Sequence, residues 1–171
     1  MTSPILLAYA TTYGSTQEVA EFIAEKLRAA NHPVDLQVAK GVKSLSGYGA
    51  VILGAPLYMF HWHAEARGFL SHHRAALSSL PVAIFALGPF HNKEDELKSA
   101  REQLDKELAK FTWLQPAAVG IFVGKFDPAR LRLPYNLIPA LKNMPASDER
   151  DWDAIQLWAE GLPQEILQRQ I

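Results

Sequence analysis

Short, continuously apolar runs alternate along this chain with amphipathic helical patterns, and that alternation limits the folds open to it. Pro4-Ile5-Leu6-Leu7-Ala8-Tyr9-Ala10, Ala50-Val51-Ile52-Leu53-Gly54-Ala55, Pro81 to Leu87 and Ala117 to Val123 carry apolar residues at successive positions. A strand buried on both faces, as in a parallel sheet, reads this way. Val34 to Ala39 differs, because Val34, Leu36 and Val38 alternate with polar residues and predict an edge strand. Between the runs, Val19, Ile23 and Leu27 recur at helical spacing, as do Leu97, Ala100, Leu104 and Leu108. A helix is also predicted over 64–77, with Ala66, Phe69, Leu70 and Leu77 on its apolar stripe. Pro56 is read as the end of the third strand. A last helix is expected after Asp148 as its N-cap, with Trp152, Ile155, Trp158, Ala159, Leu162 and Ile166 facing inward. Pro163 is expected to break or kink it late. The 124–147 segment shows no regular pattern beyond a short helix within 131–141. The expected fold is α/β, a doubly wound five-stranded parallel sheet with helices on both faces. Without a repeat or linker, residues 1–171 are expected to form a single domain.

Composition removes whole classes of function. The chain has no cysteine, which excludes thiol redox chemistry, thiolate metal sites and cysteine-held iron–sulfur clusters. A formal net charge of −1 offers no footprint for nucleic acid. The first residues carry no basic segment ahead of an apolar run, so no secretory signal is expected. No apolar stretch is long enough to span a bilayer, and the expected location is cytoplasmic.

In an open α/β sheet, ligands sit beyond the C-terminal ends of the strands, so the segment leaving strand one is the first place to look. It reads Thr11-Thr12-Tyr13-Gly14-Ser15-Thr16 and runs straight into a helix. Hydroxyl donors, one glycine and the unpaired N–H groups of a helix start would hold a phosphate monoester without any lysine or arginine. A plainer account is helix capping by Ser and Thr. The Gly-Lys-Ser/Thr of a P-loop NTPase and the Gly-x-Gly-x-x-Gly of dinucleotide folds are both missing. So are the acidic residues of a receiver domain, whose positions read Ala10-Thr11-Thr12 and Gly54-Ala55-Pro56.

The stretch Tyr9 to Ala20 resembles the FMN-phosphate loop of flavodoxins, Thr/Ser-x-Thr/Tyr-Gly-x-Thr before a helix. The resemblance runs over nearly the whole chain and implies strand order 2-1-3-4-5 and one non-covalently bound FMN. It also implies that the flavin ring lies between two further loops. The first holds Pro56, Leu57, Tyr58, Met59 and Phe60, followed by His61, Trp62 and His63. Aromatic side chains there suit a stacking wall, with Tyr58 the foremost contact, or else they pack into the core. No glycine is present in it, and Leu57, Tyr58 and Met59 are expected to avoid positive φ. The second loop holds Leu87, Gly88, Pro89, Phe90 and Asn92, in which Gly88 permits close backbone approach to a ligand. His61 and His63 are candidates for an acid or base, without a catalytic assignment. Adjacent histidines at 61–63 and 72–73 do not converge on one ion, so no metal site is expected.

Within that family, Gly54 to His63, the helix holding Phe69-Leu70, Gly124-Lys125-Phe126-Asp127 and Asp151-Trp152 are similar to the menaquinone-dependent protoporphyrinogen oxidase subgroup. That similarity implies an FMN-dependent oxidoreductase passing electrons through flavin N5, with a quinone or a redox protein as partner. The segment 125–144 sets Lys125, Arg130, Arg132 and Lys142 among apolar residues, as a lid or as a weak peripheral contact to a membrane. Two alternatives stay open: a soluble flavodoxin electron carrier, and a non-enzymatic interaction module that has lost FMN. A carrier usually steers toward its partners with a strongly acidic surface, which a net charge of −1 does not supply.

Overall fold

The computed structural model describes residues 2–167. Five parallel strands form the sheet: β1 (Ile5–Tyr9), β2 (Val34–Val38), β3 (Ala50–Tyr58), β5 (Val82–Leu87) and β6 (Ala118–Phe122). Their order is β2-β1-β3-β5-β6, and the two-residue β4 (His61–Trp62) pairs antiparallel with the end of β3. Counting the parallel strands alone, this is the expected 2-1-3-4-5, with β2 at an edge.

Alternate residues of the central strands feed two cores, as the period of two requires. Leu6, Ala8, Val51, Leu53, Ile84 and Ala86 pack under α2 (Ala64–His72), α3 (Arg74–Leu77) and α4 (Glu94–Leu108). Ile5, Leu7, Ile52, Ala83 and Phe85 pack on the other face under α1 (Ser15–Ala29) and α6 (Trp152–Leu167). Gly54 is required where the second core meets the sheet, because a Cβ there would lie 1.9 Å from the Phe85 ring.

Several boundaries differ from expectation, each for a local reason. Pro56 does not end β3, which continues to Tyr58. Its carbonyl accepts from His63 N–H at 3.0 Å, on the side away from β5, so its missing N–H leaves no bond with β5 unmade. The helix over 64–77 is two pieces, interrupted at His73. Asp148 lies in β8 (Ser147–Asp148), which pairs with β7 (Lys125–Phe126), and Asp151 instead accepts from Ala154 N–H at 3.0 Å at the start of α6. That helix runs through Pro163 without a break, its last turns held by buried Leu162 and Ile166. In place of one helix over 131–141 there are short 3-10 turns and α5 (Pro139–Lys142).

Candidate functional site

The turn from β1 into α1 is built to hold its own shape and still present donors. Gly14 sits at φ 90, a conformation in which a side chain would be strained, and its N–H donates to Thr11 Oγ1 at 2.9 Å. The first bond of α1 runs from Glu18 N–H to Gly14 C=O. The N–H groups of Ser15, Thr16 and Gln17 precede it and have no intrahelical acceptor, so the positive end of the helix opens onto the loop. Thr16 is buried in the helix base, while Thr11, Thr12, Tyr13, Gly14 and Ser15 are part-exposed.

Leu57 to Trp62 forms a tight hairpin rather than an open loop, with Leu57 opposite Trp62 and Tyr58 opposite His61. Its two turn residues, Met59 and Phe60, take φ 48 and 70. Positive φ at both positions matches the twist of a two-residue hairpin, a need met here without glycine. The expectation that Met59 avoids this region is therefore overturned, because strand pairing on both sides of the turn dictates its backbone.

Trp62 belongs to the core, 1% exposed, with Nε1 donating to Ala55 C=O at 3.0 Å. Its own N–H donates to a carboxylate oxygen of Glu107 on α4 at 3.2 Å. Burial pushes the Glu107 carboxyl up, but Lys110 at 2.5 Å, the Trp62 N–H and His61 more than reverse this, leaving it below the usual range. His61 and His63 diverge: His61 Nδ1 lies 3.5 Å from Glu107, whereas His63 points to Thr12 in the β1–α1 turn. Burial holds the His63 imidazole below its ordinary pKa.

The third wall is the turn after β5. Leu87 and Pro89 are buried and Gly88 and Phe90 part-buried. Asn92 is exposed, its N–H bound to Glu149 at 3.2 Å, and His91 Nδ1 contacts the same Glu149 oxygen at 2.9 Å. Glu149 follows β8, so the 124–151 segment reaches back over the site. It does so repeatedly. Lys125 N–H donates to Ser15 Oγ at 3.1 Å, Arg130 Nη1 to Tyr13 C=O at 3.3 Å, and Phe126 packs on Phe90 with centroids 4.9 Å apart. Tyr135 stands 6.4 Å from Tyr58, which stands 6.0 Å from Tyr13. Burial, with Tyr13 and Tyr135 adjacent, raises the Tyr58 phenol, so its hydroxyl keeps its proton.

These walls enclose one mainly apolar cavity of about 410 Å³, within the size range of small-molecule sites. Of the residues singled out by sequence, Tyr13, Ser15, Leu57, Tyr58, Met59, Phe60, Gly88, Pro89 and Phe90 line it. Pro56 and Leu87 pair with each other inside the sheet behind it. Lys125, Phe126, Arg130, Leu131 and Leu141, from the segment read as a lid or a surface contact, also line it, whereas sequence reasoning missed Glu18, Tyr135, and Ser99 and Gln103 of α4. Among the described residues no cluster of three His, Asp or Glu side chains is placed to hold a metal ion.

Comparisons with known proteins agree with this architecture. The Flavodoxin domain family matches residues 6–149. A Leishmania major protein named protoporphyrinogen IX dehydrogenase [quinone] is 26% identical over 123 residues, 70% of this chain. The match spans about half of that relative, 53% of its length. The Escherichia coli protein of the same name is 20% identical over 129 residues, 74% of this chain and 71% of its own length. Among solved structures, a Streptococcus pneumonia flavodoxin superposes with a TM-score of 0.58 at 18% identity, covering 95% of this chain and 99% of the other. Oxidised Flavodoxin 2 of Bacillus cereus gives 0.54 at 20% identity, with the same coverage. A doubly wound sheet, a neutral phosphate-type loop at its switch point and a family match over most of its length place the chain in the flavodoxin domain family.

Proposed function

We propose that this flavodoxin domain binds FMN and works as an FMN-dependent oxidoreductase of the protoporphyrinogen dehydrogenase type. The cavity suits the cofactor on three counts. It joins a helix start with neutral donors to a chamber walled by Tyr58, Phe90 and Gly88, and it has the volume of a ligand site. Thr11, Thr12, Tyr13, Gly14, Ser15 and Thr16 hold the phosphate, and the 56–60 and 87–92 segments hold the ring. When bound, FMN would supply the redox chemistry between an apolar donor and a quinone or redox-protein acceptor, while these segments would position it and exclude water.

The observation that carries the enzymatic reading is the cover. Leu131, Tyr135 and Leu141 close over the same cavity that Tyr58, Met59 and Phe60 line, which gives an apolar substrate a chamber beside the ring. A carrier that meets its partners by charge needs an exposed, acidic edge there instead. Met59 and Phe60, which line the cavity, and Leu133 and Leu137, in the segment that covers it, are 53–71% exposed. This apolar rim supports a peripheral contact with a membrane surface, where quinones reside. No helix among the described residues is long and apolar enough to cross a membrane.

The test is turnover. FMN-loaded protein given a porphyrinogen and a quinone is expected to produce porphyrin while the quinone is reduced. FMN bound without turnover returns the protein to the carrier reading. A colourless protein that does not quench added FMN fluorescence leaves only the interaction module.

A further inference from the structure

The phosphate loop is neutral, yet the first acidic side chain of α1 stands at the same cavity. Glu18 lies one turn beyond Gly14 and lines the space shared by Tyr13 and Ser15. A bare carboxylate there would repel a phosphate monoester, which carries nearly two negative charges at neutral pH. Glu18 is not bare. Arg150 Nη1 donates to its Oε2 at 2.5 Å, and the arginine side chain is 5% exposed.

The guanidinium is held from every other side. Its Nε and Nη2 donate to the two Asp148 oxygens at 2.8 Å each, and its carbon lies 4.8 Å from the Trp152 ring centroid. Asp148 stands opposite Lys125 in the β7–β8 pair, and Lys125 N–H bonds Ser15 in the phosphate turn. The planar fork thus brings its charge to Glu18 already oriented, which a flexible lysine would not do without loss. Without Arg150, Glu18 and Asp148 would leave two negative charges beside the loop. Two further cations stand at the turn, Lys125, which lines the cavity opposite Asp148, and Arg130, whose Nη1 is on Tyr13 C=O; neither contacts Glu18 as Arg150 does.

We propose that Arg150 is the charge-compensating residue of the phosphate site. It neutralises Glu18, so that a dianionic phosphate monoester is accepted at the uncharged Thr11–Thr16 loop, and it thereby sets the preference for FMN over riboflavin. This rests on the FMN reading above. Arg150 acts through Glu18 and is a positioning residue, not a catalytic one.

Fluorescence-quenching titrations with FMN and with riboflavin separate the charge role from a structural one. Arg150→Met is expected to raise the FMN Kd by about ten-fold or more at low salt and to leave riboflavin within about two-fold, because only FMN carries the repelled charge. Adding Glu18→Gln to that variant is expected to recover most of the loss, and Arg150→Lys to keep most of the FMN affinity. Glu18→Gln alone, which leaves Arg150 and Asp148 paired, is expected to tighten FMN several-fold without changing riboflavin. That single variant keeps the test open if Arg150→Met does not fold. Equal weakening of both ligands by Arg150→Met, no recovery by Glu18→Gln, or no tightening by Glu18→Gln alone would overturn the proposal. Wild-type protein that binds riboflavin and FMN equally overturns it while sparing flavin binding. Wild-type protein that binds neither removes the FMN reading itself.

Discussion

His63 and Thr12, 51 residues apart in the chain, meet through the imidazole Nε2 and the hydroxyl Oγ1 at 3.2 Å. The other ring nitrogen sets the direction of that bond. His63 Nδ1 accepts the Glu65 N–H at 3.2 Å and caps α2, so it carries no proton. The ring proton is therefore on Nε2 and is donated to Thr12, which leaves the threonine hydroxyl its own proton to donate. One histidine thus ties the β1–α1 turn to the hairpin and orients a donor, which under the proposed FMN reading would face the phosphate.

His63→Asn separates these two jobs. Asparagine is a good helix cap but is too short to reach Thr12, so the stability of α2 is expected to hold within about 0.5 kcal/mol. FMN affinity is expected to fall by roughly three- to ten-fold, the worth of one hydrogen bond. Titration of FMN fluorescence against a melting curve checks both at once.

The same histidine makes stability depend on pH. Burial lowers its pKa below the ordinary 6.5, with Glu65 opposing and Arg67 assisting. The unfolded chain then takes up a proton at a higher pH than the folded one. Stability is full above about pH 6.5 and is lost as pH falls through the folded pKa. His73, also lowered by burial, acts in the same direction. Melting temperatures between pH 7.5 and 5 are expected to drop in the wild type and to drop less in His63→Asn. Equal slopes would mean that His73 alone is responsible.

Met59 and Phe60 hold left-handed backbone that their side chains disfavour, at φ 48 and 70, and both are exposed. Apolar residues at strained, solvent-facing positions contribute little to folding, which makes this turn a place to test the proposed surface contact. Met59→Asn with Phe60→Gly supplies the residues that a two-residue hairpin prefers. The double variant is expected to be more stable by about 1 kcal/mol, seen as a rise of roughly 2–4 °C in Tm. Sedimentation with lipid vesicles is expected to show weaker association, since half of the apolar rim is gone. A variant that is less stable would mean that packing, not backbone strain, dominates this turn.

Much of the fold was legible because each strand advertises its burial by itself. The continuous runs in β1, β3 and β5 and the alternation in β2 assign their places in the sheet without any long-range information. The hydroxyl-rich turn from β1 into α1 was legible for the same reason, being one contiguous stretch that runs directly into a helix. The rest of the site depends on contacts between distant segments. Glu18 meets Arg150 across 132 residues, and His91 meets Glu149 across 58. Tyr135 sits in a segment with no periodicity, so nothing local marks it as a neighbour of Tyr58. Trp62 shows the opposite limit. Its place beside aromatic loop residues suggested a ligand wall, while pairing with Leu57 turns it inward to the core.

Glu107 is the test of how the hairpin is anchored. Its side chain is 4% exposed and takes the Trp62 N–H, the Lys110 ammonium and the edge of His61 together. Glu107→Leu removes the carboxylate that these groups and Arg67 Nε, 3.9 Å away, share, and leaves the Trp62 N–H buried without an acceptor. A buried unpaired donor costs about 1–3 kcal/mol, and the cost should appear as a lower Tm together with a weaker hold on FMN. Glu107→Gln keeps an oxygen acceptor for Trp62 and loses only the charge. It is expected to melt between wild type and the leucine variant at neutral pH, because it lacks the stabilisation that the charge supplies there. Because the folded carboxyl titrates below the ordinary 4.5, its stabilisation is present above that pH and is lost as pH falls through the folded value. Glu107→Gln is therefore expected to flatten the acid limb of the stability profile. If it melts as low as the leucine variant, the charge rather than the hydrogen bond holds the hairpin, and Lys110→Met should then reproduce the loss.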